Sequence, residues 1–305
     1  MSAKNSCRLG KTYLVSIVFQ DPDKHQIMQI LSAQPVIDSL RGQLLARVAK
    51  LERAPCLAVV LVGNDSASVI YTQRKGKTAT ELGMDHRTIT FPAEASPATV
   101  LARIRALNED PTVDGILIQR PLPPQFDMDA VSEWVVPHKD VDCFHPENIG
   151  RLVLGMRGPA PCTPAGILSL LDHYRIPVAG KICCIVGRSA IVGKPMSALL
   201  LNRDSTNIHC HSRTPDLKAM TRQAQILIVA AGKPHLIGPQ HVAPGAIVVD
   251  VGIHRDANGK IHGDVQTEAV SSIAHAITPV PGGVGPMTIW TLMANTITSA
   301  EDSRV

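Results

Sequence analysis

The chain has 305 residues, 45% of them apolar and 18% charged, with a formal net charge of +4. That balance describes a globular protein with ample core, and the length suits two domains of about 150 residues each. Charges of both signs are interspersed, with no basic block and no basic–aromatic interleaving, so nucleic acid is not an expected partner. No apolar run approaches the ~20 residues of a membrane-spanning helix, and no membrane partner is expected. The seven cysteines form no C-x-x-C pair, and Cys183 and Cys184 sit in an apolar run. Buried, reduced thiols in a cytoplasmic setting are therefore expected, with neither disulfides nor a metal site.

Residues 1–27 stand apart. Tyr13 to Phe19 is mostly apolar behind Lys4, Arg8 and Lys11, but Asp21 and Asp23 follow and no small-residue cleavage site is clear. The segment reads as an extension or an upstream start rather than a signal or transit peptide. From Pro35 to Leu51 apolar residues recur at helical spacing, and Leu57 to Val62, ending at Gly63, reads as a buried strand. The rhythm continues as a helix to Leu82, strand His86 to Phe91, helix Pro97 to Leu107 and strand Gly115 to Gln119. Strands alternating with helices predict a parallel sheet covered on both faces. A loop-rich stretch from Pro137 to Pro164 breaks the pattern and places a domain boundary near its start. Beyond it come helix Ala165 to Tyr174 and strands Lys181 to Val186, Asn207 to Cys210, Ile226 to Ala230 and Ala246 to Val251. The string P-V-P-G-G-V-G-P-M-T, from Pro279 to Thr288, then opens an apolar helix from Met287 to Ile297. Three prolines fix φ there, while Gly282, Gly283 and Gly285 leave bare backbone against which a flat group can lie.

Strand, glycine turn and helix follow one another at Ile182 to Val186, G-R-S-A-I-V-G-K-P and Met196 to Leu201. That order makes an anion site at a helix N-terminus, although the spacing departs from G-x-G-x-x-G. An NAD site places an acid at the end of the next strand to hold the ribose hydroxyls. Here that end reads Cys210-His211-Ser212-Arg213-Thr214. Ser212 and Arg213, with Arg188 from the glycine loop, suit a 2′-phosphate, so NADP is the expected cofactor. In the first half, Tyr71 and Lys75 lie four apart on one helix face. Gln119 ends a parallel strand, where ligands bind in open α/β sheets, because Arg120-Pro121-Leu122-Pro123-Pro124 cannot continue it. Asp140 and Asp142 flank Val141 in the loop leaving the domain.

Y-T-Q-R-K, G-I-L-I-Q-R-P-L-P, D-V-D-C-F-H-P-E-N-I-G-R-L, P-C-T-P-A-G-I, G-R-S-A-I-V-G-K-P and P-V-P-G-G-V-G-P-M-T occur in this order. Together, from about Ile30 to the end, they resemble the blocks of the methylenetetrahydrofolate dehydrogenase/methenyltetrahydrofolate cyclohydrolase family. The resemblance implies an α/β fold of two domains with parallel sheets and a cleft between them. Residues 28–143 would form a folate-binding catalytic domain, completed by a C-terminal helix over 286–305, and 144–285 an NADP-binding Rossmann domain. It also implies a homodimer. Family roles fall on Lys75 as the proton-handling residue, Gln119 as its hydrogen-bond partner, Asp142 as the pterin anchor and Tyr71 as the ring stacked on folate. Gly282, Gly283, Val284, Gly285 and Pro286 would line the substrate site. Gly187, Arg188, Ser189, Ile191, Val192, Gly193, Ser212, Arg213 and Ile253 would hold the cofactor. The implied activity is oxidation of 5,10-methylenetetrahydrofolate with NADP⁺, then hydrolysis of the methenyl product to 10-formyltetrahydrofolate.

Three departures qualify the match. Cys143 stands where the family usually has glycine, so strain beside Asp142 is expected. Arg120 replaces a usual leucine and puts a charge near the site. Ser32-Ala33-Gln34 replaces a usual D-G-K turn, with no expected effect on chemistry. The first two motivate an alternative, a catalytically impaired protein that binds NADP and folate. A second alternative, another two-domain NADP dehydrogenase acting on a small hydroxy acid, leaves the Tyr71/Lys75/Gln119/Asp142 set unexplained.

Overall fold

A computed structural model describes residues 28–303, so the extension read over residues 1–27 lies outside the described residues. The chain runs β1 (Gln29–Ile30), α1 (Ala33–Val48), β2 (Cys56–Val62), α2 (Ser66–Glu81), β3 (Asp85–Phe91), α3 (Pro97–Glu109) and β4 (Gly115–Ile118). Short helices α4 (Met128–Val131) and α5 (Pro146–Val153) lead to α6 (Cys162–His173), β5 (Ile182–Val186), α7 (Gly193–Leu201) and β6 (Thr206–Cys210). Then follow α8 (Leu217–Thr221), β7 (Ile226–Val229), β8 (Ile247–Asp250), the hairpin β9 (His254–Arg255) and β10 (Ile261–His262), α9 (Thr267–Val270), β11 (Ala276–Ile277) and α10 (Val284–Asp302).

Two parallel sheets result, one of three strands in the order β3-β2-β4 and one of six in the order β1-β11-β8-β7-β5-β6. β2 is buried at all seven positions, as a strand covered on both faces requires. β3, one of the sheet's two outer strands, is a mixture of exposed and half-buried residues. One core joins the domains: Leu57, Val59 and Leu117 of the first sheet and Ile185, Ile228 and Val249 of the second belong to a single cluster with α1, α6 and α10.

Several short elements escape the sequence pattern. β1, expected within the first domain, instead extends the second sheet, Gln29 opposite Ala276 and Ile30 opposite Ile277. Two-residue strands are too short to carry a period of two, so neither β1 nor β11 announces itself. α5 breaks the loop-rich stretch, started by Pro146 with the His145 ring accepting from the Glu147 amide at 3.1 Å. α10 begins at Val284, inside the Pro/Gly string, and runs longer than the apolar stretch suggests. It packs chiefly on α6 and α1, and also touches α2 and β4. Its far end is tied by Arg47, whose guanidinium donates to both Glu301 carboxylate oxygens at 3.0 and 2.6 Å.

Candidate active site

α2 is capped by Asp65, whose carboxylate accepts from the Ser68 amide at 2.9 Å, and the i,i+4 spacing orders its faces. Tyr71 and Lys75 consequently share a face one turn apart, Tyr71 half-exposed and Lys75 buried. Lys75 Nζ donates to Gln119 Oε1 at 2.7 Å. Gln119 sits just past β4, its backbone amide still bonded to Val60 O at 2.9 Å. Its side-chain Nε2 donates to Arg120 O at 2.7 Å, which leaves Oε1 as the face offered to the lysine. Burial pulls the Lys75 ammonium below its ordinary range, opposed by the negative charge of Asp142 and by Cys162. Burial likewise pushes Asp142 up to about 6, while Lys75 and Arg120 work in the other direction. The Cys162 thiol, beside Asp142, donates to Val141 O at 3.3 Å.

The loop carrying Asp142 is fixed from both sides. Asp140, itself buried, accepts from the amides of Cys143 at 3.1 Å and His145 at 2.7 Å and from Asn148 Nδ2 at 3.1 Å. Asn295 of α10 donates to Val141 O at 2.9 Å and Ala160 O at 3.1 Å, joining the strands of chain that enter and leave the domain boundary. Cys143 is fully buried and has φ +61°, the left-handed conformation that glycine adopts freely and that costs another residue about 1–2 kcal/mol. The backbone at Cys143 carries that strain.

A cleft of about 500 Å³ opens between the domains. Tyr71 and Arg74 of α2 form one wall, Asp250 to Ile253 another, and the Pro279–Pro286 string with Trp290 the floor. Gly282, Gly283, Val284, Gly285, Pro286, Tyr71 and Ile253 are thus brought together. A Cβ on Gly285 would lie 3.3 Å from the Tyr71 hydroxyl, so the bare backbone is what lets the ring settle on the string. Lys75, Gln119 and Asp142 are not among the residues lining it; Lys75 stands one turn along α2 from Tyr71, which is. Ala33 N donates to Gly282 O at 2.8 Å. Ser32–Gln34, expected to have no effect on chemistry, forms the capped start of α1 and holds the string through its main chain.

The glycine loop lies at the carboxyl edge of the second sheet. A Cβ on Gly187, which has φ +130°, would collide with the Ala230 carbonyl, and one on Gly193 with the Gly187 carbonyl. Only glycine fits at either place. Ser189 Oγ accepts from the Val192 and Gly193 amides at 3.2 and 3.4 Å. Two of the donors expected for a phosphate are thus engaged within the loop, and its exposed rim is Arg188, Ser189, Ala190 and Ile191. Beside it, Gly187 N donates to Cys210 O at 2.9 Å, and the chain turns at His211 to Thr214, leaving Ser212 and Arg213 exposed. This set fits a dinucleotide with a 2′-phosphate: a cradle a Cβ would fill, two exposed arginines and no carboxylate in the turn. None of Arg188, Ser212 and Arg213 lines the central cleft.

One network is absent from the sequence reading. Asp250, at the end of β8 and in the cleft wall, is buried and accepts from the amides of Gly252, Asp264 and Val265 at 2.9, 2.9 and 3.0 Å. Burial pushes it up to about 6. Asp264, fully buried, accepts from Ala231 N at 2.7 Å, Gly232 N at 2.9 Å and His254 Nε2 at 2.7 Å. The two carboxylates tie the loop after β7 and the β9 hairpin to the cleft wall. A lone acid ending the apolar strand at Asp250 was the available signal.

A glycine loop at the edge of a six-stranded parallel sheet, facing an α/β unit that buries a lysine, defines a two-domain dinucleotide-dependent enzyme. The sequence matches the catalytic domain of tetrahydrofolate dehydrogenase/cyclohydrolase over residues 31–142 and the NAD(P)-binding domain of the same family over residues 161–304. The chain belongs to this family. The bifunctional protein FolD of Geobacillus thermodenitrificans is 50% identical over 275 residues, covering 89% of this chain and 97% of its own. The crystal structure of the bifunctional FolD enzyme of Campylobacter jejuni superposes with TM-score 0.89 at 44% identity, covering 91% of this chain and 100% of that one. The Trypanosoma brucei enzyme, determined with NADP cofactor and an inhibitor, superposes with TM-score 0.86 at 33% identity, covering 91% and 98%.

Proposed function

We infer that the protein oxidises 5,10-methylenetetrahydrofolate with NADP⁺ and hydrolyses the methenyl product to 10-formyltetrahydrofolate, both in the one cleft. The observation that carries this reading is the 2.7 Å contact between buried Lys75 and Gln119, with Lys75 on the same helix as Tyr71, which lines the cleft together with the Pro/Gly string. When bound, NADP⁺ accepts the hydride from the methylene carbon. The chain's own residues position and polarise. Residues 31–142 with α10 make the folate side and residues 161–283 the NADP side; Gly187, Ser189, Ile191, Val192, Gly193 and Ile253 shape the dinucleotide's path, and Arg188, Ser212 and Arg213 take the 2′-phosphate.

Tyr71 stacks on the flat part of the substrate, held against the Gly282–Pro286 backbone. Asp142 accepts two parallel hydrogen bonds from the pterin's amino and ring N–H groups, which requires its ionised form. In the hydrolytic step water adds to the methenyl carbon and loses a proton. The resulting hydroxyl then gives up its proton as the C=O bond forms and the carbon–N5 bond breaks, and N5 takes up a proton, so that one proton is released overall. Lys75 moves these protons, and burial supplies the neutral fraction of amine that such a base needs. Gln119 steers the amine without adding charge. No helix among the described residues is long and apolar enough to cross a membrane, and the six cysteines described are free and buried, which suits a reducing cytoplasm. The outer edge of β3 offers a surface for the homodimer, which light scattering tests.

The test of the activity is an ultraviolet assay following methenyl formation and decay, with NADP⁺ and NAD⁺ in parallel. Formation, then decay, faster with NADP⁺, is expected. Binding of both ligands without turnover would instead support the impaired protein.

A further inference from the structure

Asp140 and Asp142 lie two residues apart in one buried loop, yet their negative charges are supported differently. Asp140 receives two backbone amides and the Asn148 side chain. Asp142 has the Cys162 thiol beside it, but that thiol donates to Val141 O at 3.3 Å. Its anionic form therefore depends on neighbouring cations, and the charged or titratable groups facing it are Lys75 from α2, Arg120 after β4, Asp140 and Cys143 from its own loop, and Cys162 from α6. α10 contributes only the neutral Asn295 amide beside Val141. Of the two cations, Lys75 gives up its charge whenever it handles a proton. A guanidinium does not.

Arg120 is placed for this. Its backbone carbonyl is engaged by Gln119 Nε2 at 2.7 Å, and its guanidinium carbon lies 4.9 Å from the centre of the Phe144 ring. That stacking holds a long side chain in one place. Arg120, Asp140, Asp142 and Phe144 line one small cavity against Ile116, Ile118 and Val135, and Lys75 is not in its wall. Burial draws the guanidinium down while Asp142 and Asp140 push it up, and an arginine stays protonated throughout.

We propose that Arg120 is a positioning residue for the substrate anchor: its fixed charge, held over Phe144, keeps Asp142 in the ionised form that accepts the pterin's hydrogen bonds while Lys75 cycles between charged and neutral. The inference rests on the reading of Asp142 as the folate anchor. It assigns a function to a charge that otherwise looks like an obstacle beside the site.

The experiment measures the folate KM at saturating NADP⁺ across about pH 5.5–8.5 for the wild type, Arg120→Leu, Arg120→Lys and Asp142→Asn. In the wild type KM should climb on the acid side as Asp142 takes up a proton, near 6. Arg120→Leu should move that midpoint up by about half a pH unit or more, raising KM at pH 6 about twofold or more, with the KM for NADP⁺ unchanged. Arg120→Lys should return the midpoint close to the wild-type value, since it restores charge without the planar stack. An unmoved midpoint in Arg120→Leu, with folate binding impaired in Asp142→Asn, overturns the inference and leaves the anchor standing. A lysine variant indistinguishable from the leucine variant also overturns it, because charge would not be the cause. Wild-type folate kinetics in Asp142→Asn would remove the anchor, and the inference with it.

Discussion

The two sides of the cleft are built on opposite principles. On the folate side Lys75 is buried and Gln119 and Asp142 are half-buried, with the amide of Gln119 locked from both ends. On the dinucleotide side Arg188, Ser212 and Arg213 stand exposed around a loop whose shape is set by backbone collision. The difference follows from the tasks. Moving a proton at neutral pH needs an amine shifted below its ordinary value, which takes burial. Recognising a phosphate on a large, exchangeable dinucleotide needs charge at an open rim, at the cost of sensitivity to salt.

The comparison breaks most severely if the loop is filled. Gly193→Ala drives a methyl group into the Gly187 carbonyl, and NADP⁺ affinity should fall by about a hundredfold or more. Equilibrium binding checks this, and an affinity within threefold of wild type would mean the loop yields easily. Removing a rim charge is gentler. Arg213→Ala should weaken NADP⁺ by about tenfold to a hundredfold and NAD⁺ far less, with the difference shrinking as salt rises. Equal losses for the two cofactors would take the 2′-phosphate away from this rim.

A pH series sharpens the contrast within the folate side. Lys75 is held below its ordinary range, so its neutral share, and with it hydrolysis, should rise about tenfold per pH unit until that lowered pKa is passed. Dehydrogenation has no such demand and should fall only on the acid side, as Asp142 takes up a proton near 6. Superimposable profiles for the two activities would contradict separate roles for the two groups. The smallest effect is expected from Cys143→Gly. The turn already holds the left-handed backbone, so folate kinetics should change by less than about tenfold. A larger gain would show that the thiol holds Asp142 out of its working position.

The long elements were legible because burial writes itself into composition. β2 is a continuous apolar run, and the helices around it keep the spacing that brings Lys75 toward Gln119. The glycine loop was legible from its place between strand and helix, despite its unusual spacing. The short elements were not: two-residue β1 carries no period, and its sheet partner lies almost 250 residues away in sequence. The Asp250–Asp264 network was hidden for a related reason. A carboxylate satisfied by backbone amides from three loops leaves no motif, because amide donors are common to nearly every residue. Cys143 and Arg120 could be noticed in the sequence, but only the φ of one and the Phe144 stack of the other say what each does.

The central claim is that one cleft serves both reactions and that a single buried amine separates them. Its most direct test is the ultraviolet progress curve of Lys75→Met, which keeps the side chain's bulk and loses the amine, run with NADP⁺ beside the wild type. Methenyltetrahydrofolate should form and accumulate, with hydrolysis slowed by about a hundredfold or more and part of the dehydrogenase rate retained. Methenyl decay at the wild-type rate would contradict the account.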